Sequence, residues 1–148
     1  MIPSPEIVDF VAAWEGFRAN AYLDAVGIWT IGYGQTRGVR EGDTVTREEA
    51  RADLKQTLTR DGHVLQAFMT REPSQQQFDA LLSLAYNCGV QRIGESGVMF
   101  RFNNGWDQDC ADRILWWDKA GGRVLSGLHK RREAERAIYL FGQYDGRP

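Results

Sequence analysis

Residues 14–36 read W-E-G-F-R-A-N-A-Y-L-D-A-V-G-I-W-T-I-G-Y-G-Q-T, and the reading of this stretch decides the fold. It holds Glu15, Asp24 and Thr30, with aromatic and glycine residues filling much of the space between them. Just upstream, Ser4-Pro5 offers a capping hydroxyl followed by a proline suited to the first helical position. Ile7, Val8, Phe10, Val11 and Trp14 then recur at helical spacing, so a helix with one apolar face is expected. Gly16 is its natural stop, which leaves Glu15 on the last turn. Beyond Arg18 the pattern changes. Tyr22-Leu23 and residues 28–33 are rich in β-branched and aromatic types, with Gly27 as turn chemistry between them, which predicts a small hairpin. On its second strand Ile28, Thr30 and Gly32 share one face, and Trp29, Ile31 and Tyr33 the other.

The remaining chain reads as helices. Residues 46–68 form a long one, opened by a capping box of Thr46 and Glu49, with Ala50, Leu54, Leu58 and Leu65 along its inner face. After the break at Pro73, Ser74 and Gln77 start another helix whose face is Phe78, Leu81, Leu82 and Ala85, ended by Asn87 and Gly89. A short helix is expected between Gly94 and Gly105, with Val98, Met99 and Phe102 inward. Asp107 is expected to cap the next, running to about Trp117 and terminated by Gly121-Gly122. A last helix covers residues 128–141, with Arg131 and Glu135 paired one turn apart. Repeats, low-complexity tracts and flexible linkers are absent. The fold class is α+β, mostly helical, with one small sheet near the start. The chain reads as one domain of two lobes: a small β-containing lobe at about residues 16–60, joined by the long helix to a helical lobe at about 61–148 that includes the N-terminal helix.

Composition sets bounds on function. A chain of 148 residues buries roughly 68–70% of its unfolded surface, and five Trp and seven Phe supply a core. A net charge of −2 gives no global attraction to nucleic acid or anionic membrane. The start, M-I-P-S-P-E, shows no secretory signal, and no apolar run approaches the ~18 residues of a membrane span, so synthesis as a cytosolic protein is expected. Cys88 and Cys110 are too few for a metal framework; free thiols are expected, with a bridge between them left open. Between Lys119 and Arg136 stand six basic residues against two acidic ones. Its stretch from Lys130 to Arg136 reads either as a solvated helix face with one buried arginine, or as an attraction to anionic peptidoglycan or lipopolysaccharide. Glu133 and Glu135 interrupt it, and no recognition motif for nucleic acid accompanies it. Gly32 and Gly34 lack the third glycine and following helix of a nucleotide site. His63 and His129 are isolated and carry no assigned role.

The chemistry that Glu15 and Asp24 suit is glycosidic bond cleavage. One carboxyl group protonates the leaving oxygen and a second serves the opposite sugar face. Glu15, at a helix C-terminus between Trp14 and Phe17, is placed where the macrodipole and desolvation both disfavour its charge. Asp24, near a turn, is expected to be better solvated and ionised, and contrasting environments are the pattern of an acid and base pair. Thr30 has a hydroxyl to hold a water, and Trp29, Tyr33 and Tyr86 are aromatics able to stack on sugars. On residue chemistry alone, surface carboxylates and core aromatics remain the alternative.

The motifs then carry a resemblance. Glu15-Gly16, Tyr22-Leu23-Asp24 and the run Gly27-Ile28-Trp29-Thr30-Ile31-Gly32-Tyr33-Gly34-Gln35-Thr36 resemble the signature of the phage-type lysozymes, the endolysins of tailed bacteriophages in glycoside hydrolase family 24. L-L-S-L-A-Y-N-C-G at residues 81–89, Asn103-Asn104-Gly105, and W-D-K-A-G-G-R-V-L-S-G-L at residues 117–128 followed by Arg131, Arg132 and Glu135 resemble its later blocks in the same order. The resemblance implies a lysozyme-like two-lobe fold and hydrolysis of the β-1,4 bond between N-acetylmuramic acid and N-acetylglucosamine in peptidoglycan. It implies Glu15 as general acid, Asp24 and Thr30 as the residues that activate and position a water, and Arg131 as the partner of Glu15. A cation there favours the carboxylate, so desolvation and the helix end must outweigh it. Thr36, Tyr86, Asn87 and Ser96 fall where the family lines its saccharide cleft. Gln35 replaces the family's usual histidine, which removes any pH-sensitive contact that histidine makes.

By the same resemblance the reaction inverts the anomeric centre, which calls for carboxyl groups roughly 6.5–9.5 Å apart. No metal or organic cofactor is implied. A monomer waiting in the host cytoplasm for a holin before it reaches the periplasm and cell wall is the expected biology. The competing readings are a lytic transglycosylase, which needs the acid but no positioned water, and a non-catalytic peptidoglycan-binding or virion protein that kept the fold.

Overall fold

In the computed structural model, which describes residues 1–148, the Ser4 hydroxyl accepts the Ile7 N–H at 3.1 Å and Pro5 takes the first helical position. Helix α1 therefore starts at Pro5 and runs Pro5–Glu15, burying Ile7, Val8, Phe10 and Val11. Gly16 closes it, its N–H donating to the Ala12 carbonyl at 3.1 Å. Trp14, expected on the apolar face, is half-buried, and its Nε1–H donates to the Gly146 carbonyl at 3.2 Å.

Strands β1 (Arg18–Leu23) and β2 (Trp29–Gly32) pair antiparallel, with Tyr22 opposite Thr30 and Leu23 opposite Trp29. The expected hairpin is present, but β2 ends at Gly32, so Tyr33 lies beyond the strand. Gly32 abuts Ala50 of helix α2 (Arg47–Gln66), which packs the hairpin against that helix. Helix α2 has its capping box: Thr46 Oγ1 accepts from Glu49 N at 3.1 Å, and Glu49 Oε1 accepts from Thr46 N at 3.2 Å. Ala50, Leu54, Leu58 and Leu65 form its buried stripe, as their spacing predicts. Helix α3 (Gln75–Cys88) repeats the device with Ser74 and Gln77. It is buried on almost every side from Phe78 to Ala85, because α1, α2 and α7 (Ser126–Phe141) all pack on it. Phe10, Leu54, Phe78, Leu82, Phe102 and Ile138 belong to one continuous core.

The C-terminal half departs from expectation in several places. A short helix α4 (Val90–Gly94) follows α3 directly, and nothing in its five residues announces it: no side chain caps it. Helix α5 (Gly97–Asn103) is the expected short one. Helix α6 (Asp107–Ile114) begins at Asp107 instead of being capped by it, and ends before Trp117. Asp107 is free to accept from the Tyr139 hydroxyl at 2.7 Å and to pair with Arg71. Gly121-Gly122 does not terminate that helix. With φ of 59° and 77° the two glycines make the tight turn of a second hairpin, β3 (Lys119–Ala120) with β4 (Arg123–Val124), a geometry costly for other residues. Helix α7 consequently starts at Ser126, two residues before the expected position.

The basic run is not a solvated face with a single buried arginine: Arg131 and Arg132 are both buried, as is Glu135. Cys88 and Cys110 are both free, the second fully buried and the first half-buried. No helix is long and apolar enough to cross a membrane.

Candidate active site

Helix α1 carries Glu15 at its last residue, where the turn at Gly16 leads into β1. Arg131 of α7 reaches it across the core, Nη1 donating to Glu15 Oε2 at 2.6 Å. The Arg131 side chain is 5% exposed and the Glu15 side chain 20%. The second carboxyl oxygen, Oε1, accepts no hydrogen bond and faces Gly34, where an added Cβ would lie 3.6 Å from it and 3.8 Å from the Tyr86 hydroxyl. Gly34 has φ of +91°, so a side chain there would be strained, although its Cβ would only touch these oxygens.

Asp24 opens the loop between β1 and β2. Its Oδ1 accepts the N–H groups of Val26 and Ile28, both at 2.9 Å, while its own N–H donates to the Ile28 carbonyl at 3.0 Å. Oδ2 is left without a partner in the protein. Thr30 is 4% exposed, and its hydroxyl donates to that same Ile28 carbonyl at 2.9 Å. Ile28 thus ties Asp24 at the loop to Thr30 on β2. The Thr30 oxygen, having given its proton, retains lone pairs that can only accept.

A cavity of about 380 Å³ opens beside Glu15. Gly34, Gln35, Thr36 and Arg37 form one wall, Thr57, Arg60 and Asp61 of α2 a second, and Tyr86 and Asn87 of α3 a third. Thr36, Tyr86 and Asn87 are thereby brought together with Glu15; Asp24 and Thr30 are not on this wall. Ser96 is elsewhere, capping α5: its hydroxyl accepts from Val98 N at 3.2 Å and donates to the Ile93 carbonyl at 2.7 Å. Of the three aromatics, Tyr86 faces the cavity, Tyr33 packs on Phe17 with ring centroids 5.5 Å apart, and Trp29 is half-buried. The Tyr86 hydroxyl donates to the Tyr33 carbonyl at 3.0 Å, and burial followed by the nearby Glu15 charge holds the phenol neutral well above its ordinary range.

Arg37, Thr57, Arg60 and Asp61 line the cavity and escaped the sequence reading. Gln35 accepts the Thr57 hydroxyl at 3.1 Å, while its buried Nε2 has no partner. Asp61 stands on the cavity wall with no hydrogen-bond partner in the protein, and burial raises its pKa against the opposing pull of Arg60. Thr57, Arg60 and Asp61 share one polar face of α2, the available signal for them. A larger cavity of about 590 Å³, lined by Arg92, Arg113, Trp116, Trp117 and Lys119, does not include Glu15 but meets the first at Asn87. The larger cavity is cationic and aromatic, and the one beside Glu15 bears carboxylates.

The chain has relatives of known type. Residues 12–135 match the family profile described as phage lysozyme. The endolysin of Salmonella phage P22 is 37% identical over 131 residues, covering 85% of this chain and 89% of its own. Among solved structures, the endolysin from Escherichia coli O157:H7 phage FAHEc1 superposes with a TM-score of 0.89 at 32% identity, covering 97% of this chain and 96% of that one. The muramidase domain of SpmX from Asticaccaulis excentricus gives 0.87 at 34% identity, covering 93% and 96%.

Proposed function

The chain belongs to the phage lysozyme family of cell-wall-degrading hydrolases, and on that premise we propose that it is a muramidase cleaving the β-1,4 bond between N-acetylmuramic acid and N-acetylglucosamine. The observation that carries this reading is the state of Glu15: one oxygen is fixed by Arg131 and the other is free beside an open cavity. The free oxygen carries the proton that passes to the glycosidic oxygen as the bond to the anomeric carbon breaks. On the opposite face a water directs one hydrogen to the unpartnered Oδ2 of Asp24 and the other to Thr30 Oγ1, which can only accept. Its lone pair then points to the anomeric carbon. Attack forms the new C–O bond, the water's proton goes to Asp24, and the product anomer is inverted.

The name of the SpmX domain, a muramidase at 34% identity, supports the bond assignment. Thr36, Tyr86 and Asn87 act as saccharide contacts along the cavity, with peptidoglycan as the partner. The protein acts as a monomer released from the host cytoplasm by a holin. Expression without a holin should leave cells intact until the membrane is permeabilised; lysis by the protein alone would refute that route. For the chemistry, digested peptidoglycan examined by mass spectrometry and by NMR of fresh product should show reducing muramic acid ends of inverted configuration. Anhydro-muramic ends would identify a lytic transglycosylase, and a retained anomer would overturn the water mechanism.

A further inference from the structure

The residue that holds Glu15 is itself held from behind. Glu135, fully buried on α7, takes three hydrogen bonds on a single oxygen: from Arg131 Nε at 3.2 Å, Arg132 Nη2 at 2.8 Å and the Ser83 hydroxyl of α3 at 3.0 Å. Its other oxygen has no partner, and neither do Arg131 Nη2 and Arg132 Nε. Arg132 is equally buried; it donates to the Trp117 carbonyl at 3.2 Å and lies 2.9 Å from the Cys88 sulfur. An incompletely satisfied buried ion cluster is weak as a source of stability, because desolvation offsets most of its attraction. The cluster sets two guanidinium groups against the buried Glu135 carboxylate, and one of the two also meets Glu15. The Arg131 guanidinium faces Glu15 at one end and Glu135 at the other.

We propose that Glu135 is a positioning residue for the proton of Glu15: by sharing the charge of Arg131 it keeps that guanidinium from locking Glu15 as a carboxylate, and Arg132 limits how much is shared. This rests on Glu15 being the general acid. Burial works against the Arg131 charge, yet Glu135 first and Glu15 second outweigh it and hold the guanidinium firmly protonated. The other groups facing this cluster do not share that charge. Tyr86 of α3 is kept neutral by burial, and burial likewise raises the Cys88 thiol. Asp61 and Arg60 of α2 and Arg37 of the Gly34–Arg37 wall line the cavity, whose lining does not include Glu135.

The test is the pH profile of kcat/KM on soluble peptidoglycan fragments for wild type, Glu135→Gln and Arg132→Met. Glu135→Gln removes a negative charge near Glu15 and releases Arg131 to it, both favouring the Glu15 carboxylate. The alkaline limb should therefore move roughly 0.5–1 pH unit towards acid. Arg132→Met leaves Glu135 freer to offset Arg131, so its limb should move towards alkali. If Glu135→Gln does not fold, the double variant, which leaves no lone buried charge, carries the test with a smaller acid shift, because Glu135 touches Arg131 and Arg132 does not. Limbs that stay in place while only rate or stability falls would make Glu135 purely structural and overturn the proposal. Failure of the underlying reading would look different: Glu15→Gln would then retain activity.

Discussion

Arg131 and Glu15 meet at 2.6 Å although 116 residues separate them in the chain. The first helix ends where the last one can reach it, so the proposed acid depends on the packing of α1 and α7 around α3 and not on the hairpin alone. Replacing Arg131 with Met leaves Glu135 with one cation and Glu15 with none. Breaking a buried pair of this kind costs about 3–5 kcal/mol. Chemical denaturation should show that loss, and the surviving folded fraction should have kcat/KM lowered at least about tenfold. Arg131→Lys keeps the charge but cannot reach both carboxylates at once, so it should recover stability only in part.

Asp24 and Thr30 are joined through the backbone of Ile28, which separates their structural duty from their proposed chemical one. Asp24→Asn keeps Oδ1 as the acceptor for Val26 and Ile28, so the loop and the melting temperature should hold while kcat falls by about 10²–10⁴. Thr30→Ala should lower kcat with little change in KM, and Thr30→Ser should restore much of it. A melting temperature that collapses in Asp24→Asn would mean the residue serves the loop alone.

Asp61 offers a test of the cavity. Burial raises its pKa, so its charge opposes folding whenever the pH is above that value, and the penalty fades as the pH falls through it. Asp61→Asn should therefore melt at a higher temperature than wild type at neutral pH, with the difference vanishing in acid. If the carboxylate contacts sugar hydroxyls, the same variant should show a raised KM with kcat nearly unchanged.

His129 bridges Asp118 at 2.8 Å and Glu133 at 2.7 Å, and anchors the start of the second hairpin. Its hydrogen bond to Asp118, then the Glu133 charge, raise its pKa above the ordinary 6.5. A raised histidine stabilises fully below its unfolded pKa and loses that contribution as pH rises through the folded one. Thermal melts should therefore fall in wild type as the pH rises from the unfolded pKa through the folded one, and that fall should be absent in His129→Gln.

The parts legible in the sequence are those fixed by near neighbours. Ser4-Pro5, the Thr46–Glu49 and Ser74–Gln77 boxes and the residues 14–36 declare α1, the hairpin, α2 and α3 because their caps and turns close within a few residues. The places of Glu15 at a helix end, Asp24 at the loop and Thr30 on the second strand follow for the same reason, while their proposed roles come from the family resemblance. Gly121-Gly122 was ambiguous, since paired glycines suit a helix stop and a tight turn equally, and only the pairing of Lys119 with Val124 decides. The burial of Arg132 and Glu135 was not legible: it depends on Ser83, 52 residues away, and helix α7 alone would solvate both. Asp61 likewise belongs to the cavity only because Tyr86 is brought against α2.

The most direct test of the central claim is the rate of turbidity loss of purified peptidoglycan with wild type and Glu15→Gln at equal folded concentration. The amide retains an acceptor for Arg131 but has no proton to give to the leaving oxygen, so clearing should slow by about 10²–10⁴. Equal clearing by both proteins would contradict the account.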